Sequence, residues 1–382
     1  MPARSCLALL LCIILMLSMP LSLHASAQNK GAIPSVSAKS AVLIDLKDCN
    51  VLFEKNAHAR LPMASTTKIM TALVIAEALP LDTLVSVPAE AVGIEGSSVY
   101  LQKGELLSVD ELLMALLLES ANDAAVALAV CTFGSIEAFA KRCNEKALEL
   151  GLKNSNFSNP HGLFDEAHYT SAYDLAVISA YALKVPRIRE IVATKSATIP
   201  IGRTESNPFG EGVRHLKNHN KLLSTYEGAI GMKTGYTKKS GRCLVSAAER
   251  DGLTLIAVTL NAPDDWRDHT AMLNYGFESF EYRTFFESGA YKYDFPLSNA
   301  ERSTVTLSNV SPLRALVKKG DLIARIDVEA HFRFAVAPIK KNTVLGELVL
   351  TVNGKKLRSS LISIEEIASK DEKNGFFESF FN

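Results

Sequence analysis

The chain has 382 residues, enough for a large core and for two domains. Lys and Arg number 41 and so do Asp and Glu, giving a formal charge of zero. That balance excludes the basic footprint of a nucleic-acid binder.

Arg4, the apolar run Leu7 to Leu23 and then His24-Ala25-Ser26-Ala27 have the order of a secretory signal peptide cut after Ala27. The alternative is a retained anchor, for which the run is short. No lipid-modified cysteine follows in the usual place. Loss of residues 1–27 removes Arg4 and no acid, leaving 40 basic against 41 acidic residues. Export permits disulfides. Cys6 and Cys12 leave with the signal, and Cys49, Cys131, Cys143 and Cys243 remain, without metal-ligand spacing. Cys131 and Cys243 stand in apolar surroundings and read as core thiols; pairing is left open.

Residues 41–46 and 51–53 read as a hairpin around Lys47-Asp48-Cys49-Asn50. Pro62 is placed to open a helix, apolar almost all round as far as Ala76, hence buried and central. Ser108-Val109-Asp110-Glu111 has the form of a capping box before the run Leu112–Leu118. Ser120-Ala121-Asn122 then interrupts, and a second apolar helix runs from Ala124 to Val130. Helices follow over 138–150 and 174–183, separated by a polar, turn-rich stretch over 154–171. Residues 200–222 read as an irregular excursion. Strands follow over 230–236, 242–249 and 253–260, the last two joined by the hairpin signal Asp251-Gly252. A helix over 267–280 packs back on that sheet. From Ala290 to Ser363 short alternating strands predict a small all-β domain, with strands over 304–307, 313–317, 324–328, 332–337 and 344–352.

Three strings stand in order: Ser65-Thr66-Thr67-Lys68, Ser120-Ala121-Asn122 and Lys233-Thr234-Gly235. Each alone is weak. On a helix, residues i and i+3 share a face, so Ser65 and Lys68 point into one space. A serine hydroxyl needs a base, and a lysine serves only when neutral. Burial in the apolar helix, with Lys233 as a nearby second cation, disfavours the ammonium. The Ser65 N–H, free at a helix start, can donate to a developing oxyanion. Asn122 can hold a substrate amide, and Ser120 can pass a proton to the leaving nitrogen. Lys233 brings a charge and Thr234 a hydroxyl, while Gly235 lets a ligand backbone approach the strand. Tyr236 N–H is the candidate second oxyanion donor. Arg267 is a candidate partner for the substrate carboxylate. His161, His215, His219 and His269 read as structural or surface residues, although Asn218-His219-Asn220 is placed to line the cleft. Asp165, Glu166 and His168 read as a solvated turn.

With all three strings present, the chain resembles the low-molecular-mass penicillin-binding proteins, and more narrowly the serine-type D-alanyl-D-alanine carboxypeptidases. The similarity covers residues 33 to 365 and includes Asn159-Pro-His-Gly-Leu163, Met232-Lys-Thr-Gly-Tyr-Thr237 and Ala337-Pro-Ile-Lys-Lys341. Ala121 departs from the Gly often found there. The resemblance implies an α/β transpeptidase fold: an antiparallel sheet with flanking helices over 33–283 and a β domain over 284–365. It implies Ser65 as nucleophile, Lys68 as base, Ser120 and Asn122 as proton relay and substrate holder, and Lys233 and Thr234 as carboxylate holders. The implied substrate is a peptidoglycan stem peptide, with β-lactams as inhibitors and no cofactor or metal.

Two rivals share the strings. A serine β-lactamase needs a second base, and one class carries Glu followed four residues on by Asn; Glu166 is followed by Thr170. An inactive penicillin-binding scaffold would not need the complete set. In the tail, residues 366–382, Phe376, Phe377, Phe380 and Phe381 suit the apolar face of an amphipathic anchor. From Leu361 onward five acids outnumber two Lys, which anionic lipid would repel. Weak peripheral attachment and a frayed terminus are both compatible with that pattern.

Overall fold

A computed structural model describes residues 31–321, 326–352 and 354–370. The predicted signal segment and residues 371–382 of the tail, with their four Phe, lie outside the described residues. β1 (Ser40–Asp45) and β2 (Val51–Lys55) form the expected antiparallel hairpin. Asp45 closes its turn, its carboxylate accepting the Asp48 and Asn50 N–H groups, each at 2.9 Å. The central helix begins later than Pro62 predicts. Ala64–Thr67 is a 3-10 turn, and α1 runs over Lys68–Ala78. Ala64 has φ of +48°, a left-handed conformation through which a right-handed helix cannot extend. As expected, α1 is buried, from Lys68 to Ile75 without a break.

β3 (Leu84–Ser86) and β4 (Leu106–Ser108) pair and lead into α2 (Val109–Met114). The capping box forms: Ser108 Oγ accepts from Glu111 N–H at 3.2 Å, and the Glu111 carboxylate accepts from Ser108 N–H at 2.7 Å. A π-helical turn over Ala115–Glu119 ends at Ser120, and α3 (Asn122–Phe133) starts two residues ahead of Ala124. α4 (Ile136–Glu149), α5 (Ala172–Leu183) and α6 (Pro186–Ala193) follow. α6 was not foreseen, although Pro186 in its first turn and buried Ile188, Ile191 and Val192 carry a helical signature. The stretch over 200–222 is more regular than expected. β5 (Ser196–Pro200) pairs with β6 (Val213–Lys217), and α7 spans Leu222–Thr225. Each strand buries one residue, Ile199 or Leu216, too few to show an alternation.

β7 (Ala229–Thr237), β8 (Gly241–Arg250) and β9 (Leu253–Leu260) complete an antiparallel sheet in the order β2-β1-β9-β8-β7. β7 is an outer strand, as predicted. Alternate residues of the central strands serve two cores. Val42, Ile44 and Val258 face α1, α3 and α5. Leu43 and Leu255 instead meet Met272 and Leu273 of α8 (Asp265–Ser279).

From residue 280 to residue 363 the described elements are all strands. The strands are β10 (Phe280–Phe286), β11 (Lys292–Pro296), β12 (Thr304–Asn309), β13 (Leu313–Lys318), β14 (Ile326–Phe332), β15 (Val344–Val352) and β16 (Lys355–Ser363). β10 pairs with β13, and the others form a sheet in the order β11-β12-β16-β15-β14. Its core holds Val305, Leu307, Leu348, Leu350 and Leu361. The strand predicted over 332–337 does not form: Phe332 ends β14, and between it and β15 the chain makes only isolated bridges, Val336 with Ser298 and Ile339 with Ile367. The architecture is the expected mixed α/β fold followed by an all-β segment.

Candidate active site

The 3-10 turn delivers Ser65 to the surface and Lys68 to the interior. Ser65 lines an open cleft of about 420 Å3, whereas Lys68 is fully buried beneath it. Lys68 Nζ stands 3.1 Å from Ser65 Oγ, 2.7 Å from Asn122 Oδ1 and 2.8 Å from the His161 carbonyl. A neutral amine has two N–H donors and one lone pair. Asn122 Oδ1 and the His161 carbonyl can only accept, so they take both donors, and the lone pair is left for the serine O–H. Burial holds the Lys68 pKa well below that of a free lysine, and the Lys233 charge lowers it further; Asp123 opposes both.

Asn122 is more committed than the sequence suggested. Its Oδ1 takes Lys68, its Nδ2 donates to the Glu95 carbonyl at 2.6 Å, and its backbone N–H donates to the Ser97 carbonyl at 2.7 Å. Neighbouring Asp123 accepts from Ser98 Oγ at 2.6 Å and from Leu101 N–H at 3.0 Å, so it holds the 95–101 rim of the cleft. Ser120, 4% exposed with φ of 62°, lines the same cleft as Ser65.

β7 forms the other wall. Thr234, Gly235 and Tyr236 line the cleft, and Tyr236 is largely exposed. Lys233 is buried below them, with Nζ 2.9 Å from the Thr234 carbonyl. It is not the fixed charge expected: burial lowers its pKa to about 7, with Glu119 pulling the other way. A Cβ on Gly235 would lie 2.9 Å from Ser65 N and 3.1 Å from Thr66 N. The absent side chain is what lets β7 run beside the serine turn.

Arg267 is not brought to this cleft. Its side chain is 74% exposed and pairs with Asp264 at 3.1 Å. The cleft arginine is Arg242, opposite Tyr236 in the β7–β8 register. Its Nε and Nη2 bond Asp265 Oδ1 at 3.0 and 2.9 Å. Sequence reasoning passed over Arg242, although its place at the start of the neighbouring strand was a usable signal. It also missed the His161 carbonyl, because a backbone acceptor leaves no mark in a motif. His168 is no part of a solvated turn with Asp165 and Glu166: it is 3% exposed, packed edge-on against Phe157, and burial lowers its pKa to about 4. His219 lines the cleft, as the reading of Asn218-His219-Asn220 allowed.

An α/β fold with this cleft at a sheet edge and an all-β segment behind it defines a serine peptidase of the penicillin-binding-protein class. The chain belongs to the D-alanyl-D-alanine carboxypeptidase family, which it matches over residues 26–264; residues 280–371 match the penicillin-binding protein 5 C-terminal domain. It is 35% identical over 342 residues to D-alanyl-D-alanine carboxypeptidase DacF of Bacillus subtilis, covering 87% of this chain and 86% of that one. It is 30% identical over 372 residues to DacC of Escherichia coli, covering 92% and 88%. Penicillin-binding protein 5 from Haemophilus influenzae superposes with a TM-score of 0.68 at 27% identity, covering 88% of this chain and 99% of that one. The chain is thus a serine-type D-alanyl-D-alanine carboxypeptidase, a hydrolase acting on the cell wall.

Proposed function

We propose that this enzyme removes the terminal D-alanine of a peptidoglycan stem pentapeptide through an acyl-enzyme on Ser65. The observation that supports this is the Lys68 amine, 3.1 Å from Ser65 Oγ with its two donors already engaged. Ser65 O–H gives its proton to Lys68 Nζ as Oγ attacks the carbonyl of the penultimate D-alanine. The N–H groups of Ser65 and Tyr236 receive the developing oxyanion. The C–N bond breaks, and the leaving amine takes a proton through Ser120, replenished from Lys68. Free D-alanine departs. Water then attacks the Ser65 ester, passing a proton to Lys68, which returns it to Ser65 Oγ as the C–O bond breaks and the shortened peptide leaves. Thr234, Lys233 and Arg242 hold the terminal carboxylate. Asn122 keeps Lys68 oriented and presents its remaining amide proton to the peptide. A β-lactam enters by the same attack and leaves an ester that hydrolyses slowly.

Peptidoglycan lies outside the cytoplasm. We accordingly assign residues 1–27 to an export signal, 33–283 to the catalytic domain, 284–365 to a β domain, and 366–382 to a tail with weak membrane affinity. The test of the activity is mass spectrometry of a stem pentapeptide incubated with the protein. The native chain removes one alanine, and Ser65→Ala removes none. Equal loss with both rejects the assignment.

A further inference from the structure

Ala64 is a non-glycine residue with φ of +48°, immediately before Ser65. Such a conformation is strained and persists only where its surroundings impose it. Gly162 approaches from one side, with φ of +88°: a Cβ there would lie 1.9 Å from Ala64 O. The same carbonyl also ends a chain of hydrogen bonds. Ser158 N–H donates to His168 Nδ1 at 3.0 Å, so Nδ1 carries the lone pair and Nε2 the proton. Nε2 lies 2.7 Å from Thr67 Oγ1, and Thr67 Oγ1 donates to Ala64 O at 2.7 Å. Ala64, Thr67 and His168 are buried, and Ser158 is half-buried. The direction of donation is therefore fixed from Ser158 through His168 and Thr67 to the carbonyl before the serine.

We propose that His168 is a positioning residue for acylation: its Nε2–H, acting through Thr67 Oγ1, holds the strained Ala64 carbonyl and so fixes the aim of Ser65 Oγ. This rests on the assignment of Ser65 as nucleophile. His168 touches neither the cleft nor Lys68. Its ring nitrogens have separable duties, because Nδ1 secures the Ser158 loop and Nε2 alone reaches the serine turn. Asn can imitate Nδ1 and Gln can imitate Nε2. A role limited to holding the loop would be satisfied by Asn, whereas positioning of Ser65 requires Gln.

The experiment measures the acylation rate constant with a fluorescent penicillin, and kcat and KM with pentapeptide. The proteins are native, His168→Gln, His168→Asn, Thr67→Val and the Thr67→Val/His168→Asn double variant, with thermal melts on each. Small displacements of a reacting atom cost up to about 10²-fold in rate. We expect His168→Asn to lose about 10- to 100-fold in acylation and in kcat with KM little changed. His168→Gln should recover most of that loss. The double variant should fall no further than the worse single one, because both cut the same chain. Acylation by folded His168→Asn within about twofold of native overturns the proposal. So do equal rates for Gln and Asn, or a double variant at the product of the single losses. Should an Asn variant melt below the assay temperature, the comparison of Gln with Thr67→Val decides: Val low with Gln near native supports the chain, and Val near native overturns it. Failure of the Ser65 assignment is read separately, as penicillin labelling that survives in Ser65→Ala.

Discussion

Gly235 and Ser65 meet backbone to backbone: a methyl group on Gly235 would stand 2.9 Å from the serine nitrogen. The oxyanion donor proposed on Ser65 and the strand proposed to align the substrate are thereby held in one narrow space. Gly235→Ala should push β7 and the serine turn apart. The expected result is a fall in kcat/KM of about 10²-fold, with a thermal midpoint lowered by only a few degrees. Unchanged kcat/KM would mean that the two walls need not be this close.

The two buried lysines predict a bell-shaped dependence of kcat/KM on pH. Lys68 must be neutral, so activity falls toward acid as it takes a proton; its pKa lies well below the free value. Lys233 must be charged to meet a carboxylate, so binding weakens as pH rises through about 7. An amide in place of the terminal carboxylate should lose the alkaline limb and keep the acid one. For stability the sign is opposite to that of a salt-bridged lysine. An unfolded Lys233 holds its proton up to its ordinary pKa, so between about 7 and 10.5 the unfolded state binds more protons. This group therefore makes the fold more stable as pH rises across that window and contributes no further change below it. Urea titrations at several pH values check the direction against the remaining groups.

Arg242 and Arg267 should separate cleanly. Arg242→Leu removes the cleft guanidinium and leaves the Asp265 carboxylate, 3% exposed, without its counter-charge and with only the Trp266 N–H. We expect KM to rise about tenfold, in keeping with the loss of one charged hydrogen bond. Arg267→Leu alters an exposed side chain, so kcat and KM should stay within about twofold. The reverse pattern would return the carboxylate to Arg267.

A buried ion pair supports the rim of the cleft. Arg214 Nη1 and Nη2 lie 2.6 and 2.9 Å from the Glu105 carboxylate, and Arg214 Nε donates to the Val99 carbonyl at 2.7 Å. Glu105 is completely buried, so Arg214→Ala strands a carboxylate. A loss of about 3–5 kcal/mol follows, measurable by urea unfolding.

Membrane affinity of the tail is checked by liposome flotation of the chain with and without residues 370–382. Partial flotation of the full chain on neutral lipid, lower on anionic lipid, is expected from five acids against two Lys after Leu361. Equal flotation of both chains rejects the anchor.

Much of this was legible in residue order. The hairpin at 40–55, the capping box at Ser108, the buried α1 and the strand carrying Lys233 all follow from local periodicity and turn chemistry, which act over a few neighbouring residues. Spacing alone placed Ser65 and Lys68 on one side of a helical turn. Local pattern could not supply contacts between distant segments. The His161 carbonyl on Lys68 spans 93 positions, and the pairing of Glu105 with Arg214 spans 109. His168 looked solvated because its neighbours Asp165 and Glu166 are polar, yet its ring turns inward to Thr67, 101 residues away. Sequence determined which chemical groups the protein possesses and which of them share a short element. Tertiary structure decided which are buried together: burial lowers the pKa of Lys68 and Lys233, and the β7–β8 register, opposite Tyr236, brings Arg242 rather than Arg267 to the cleft. The reason is physical: desolvation and hydrogen-bond geometry depend on what surrounds a group in space, and neighbours along the chain are only part of that surrounding.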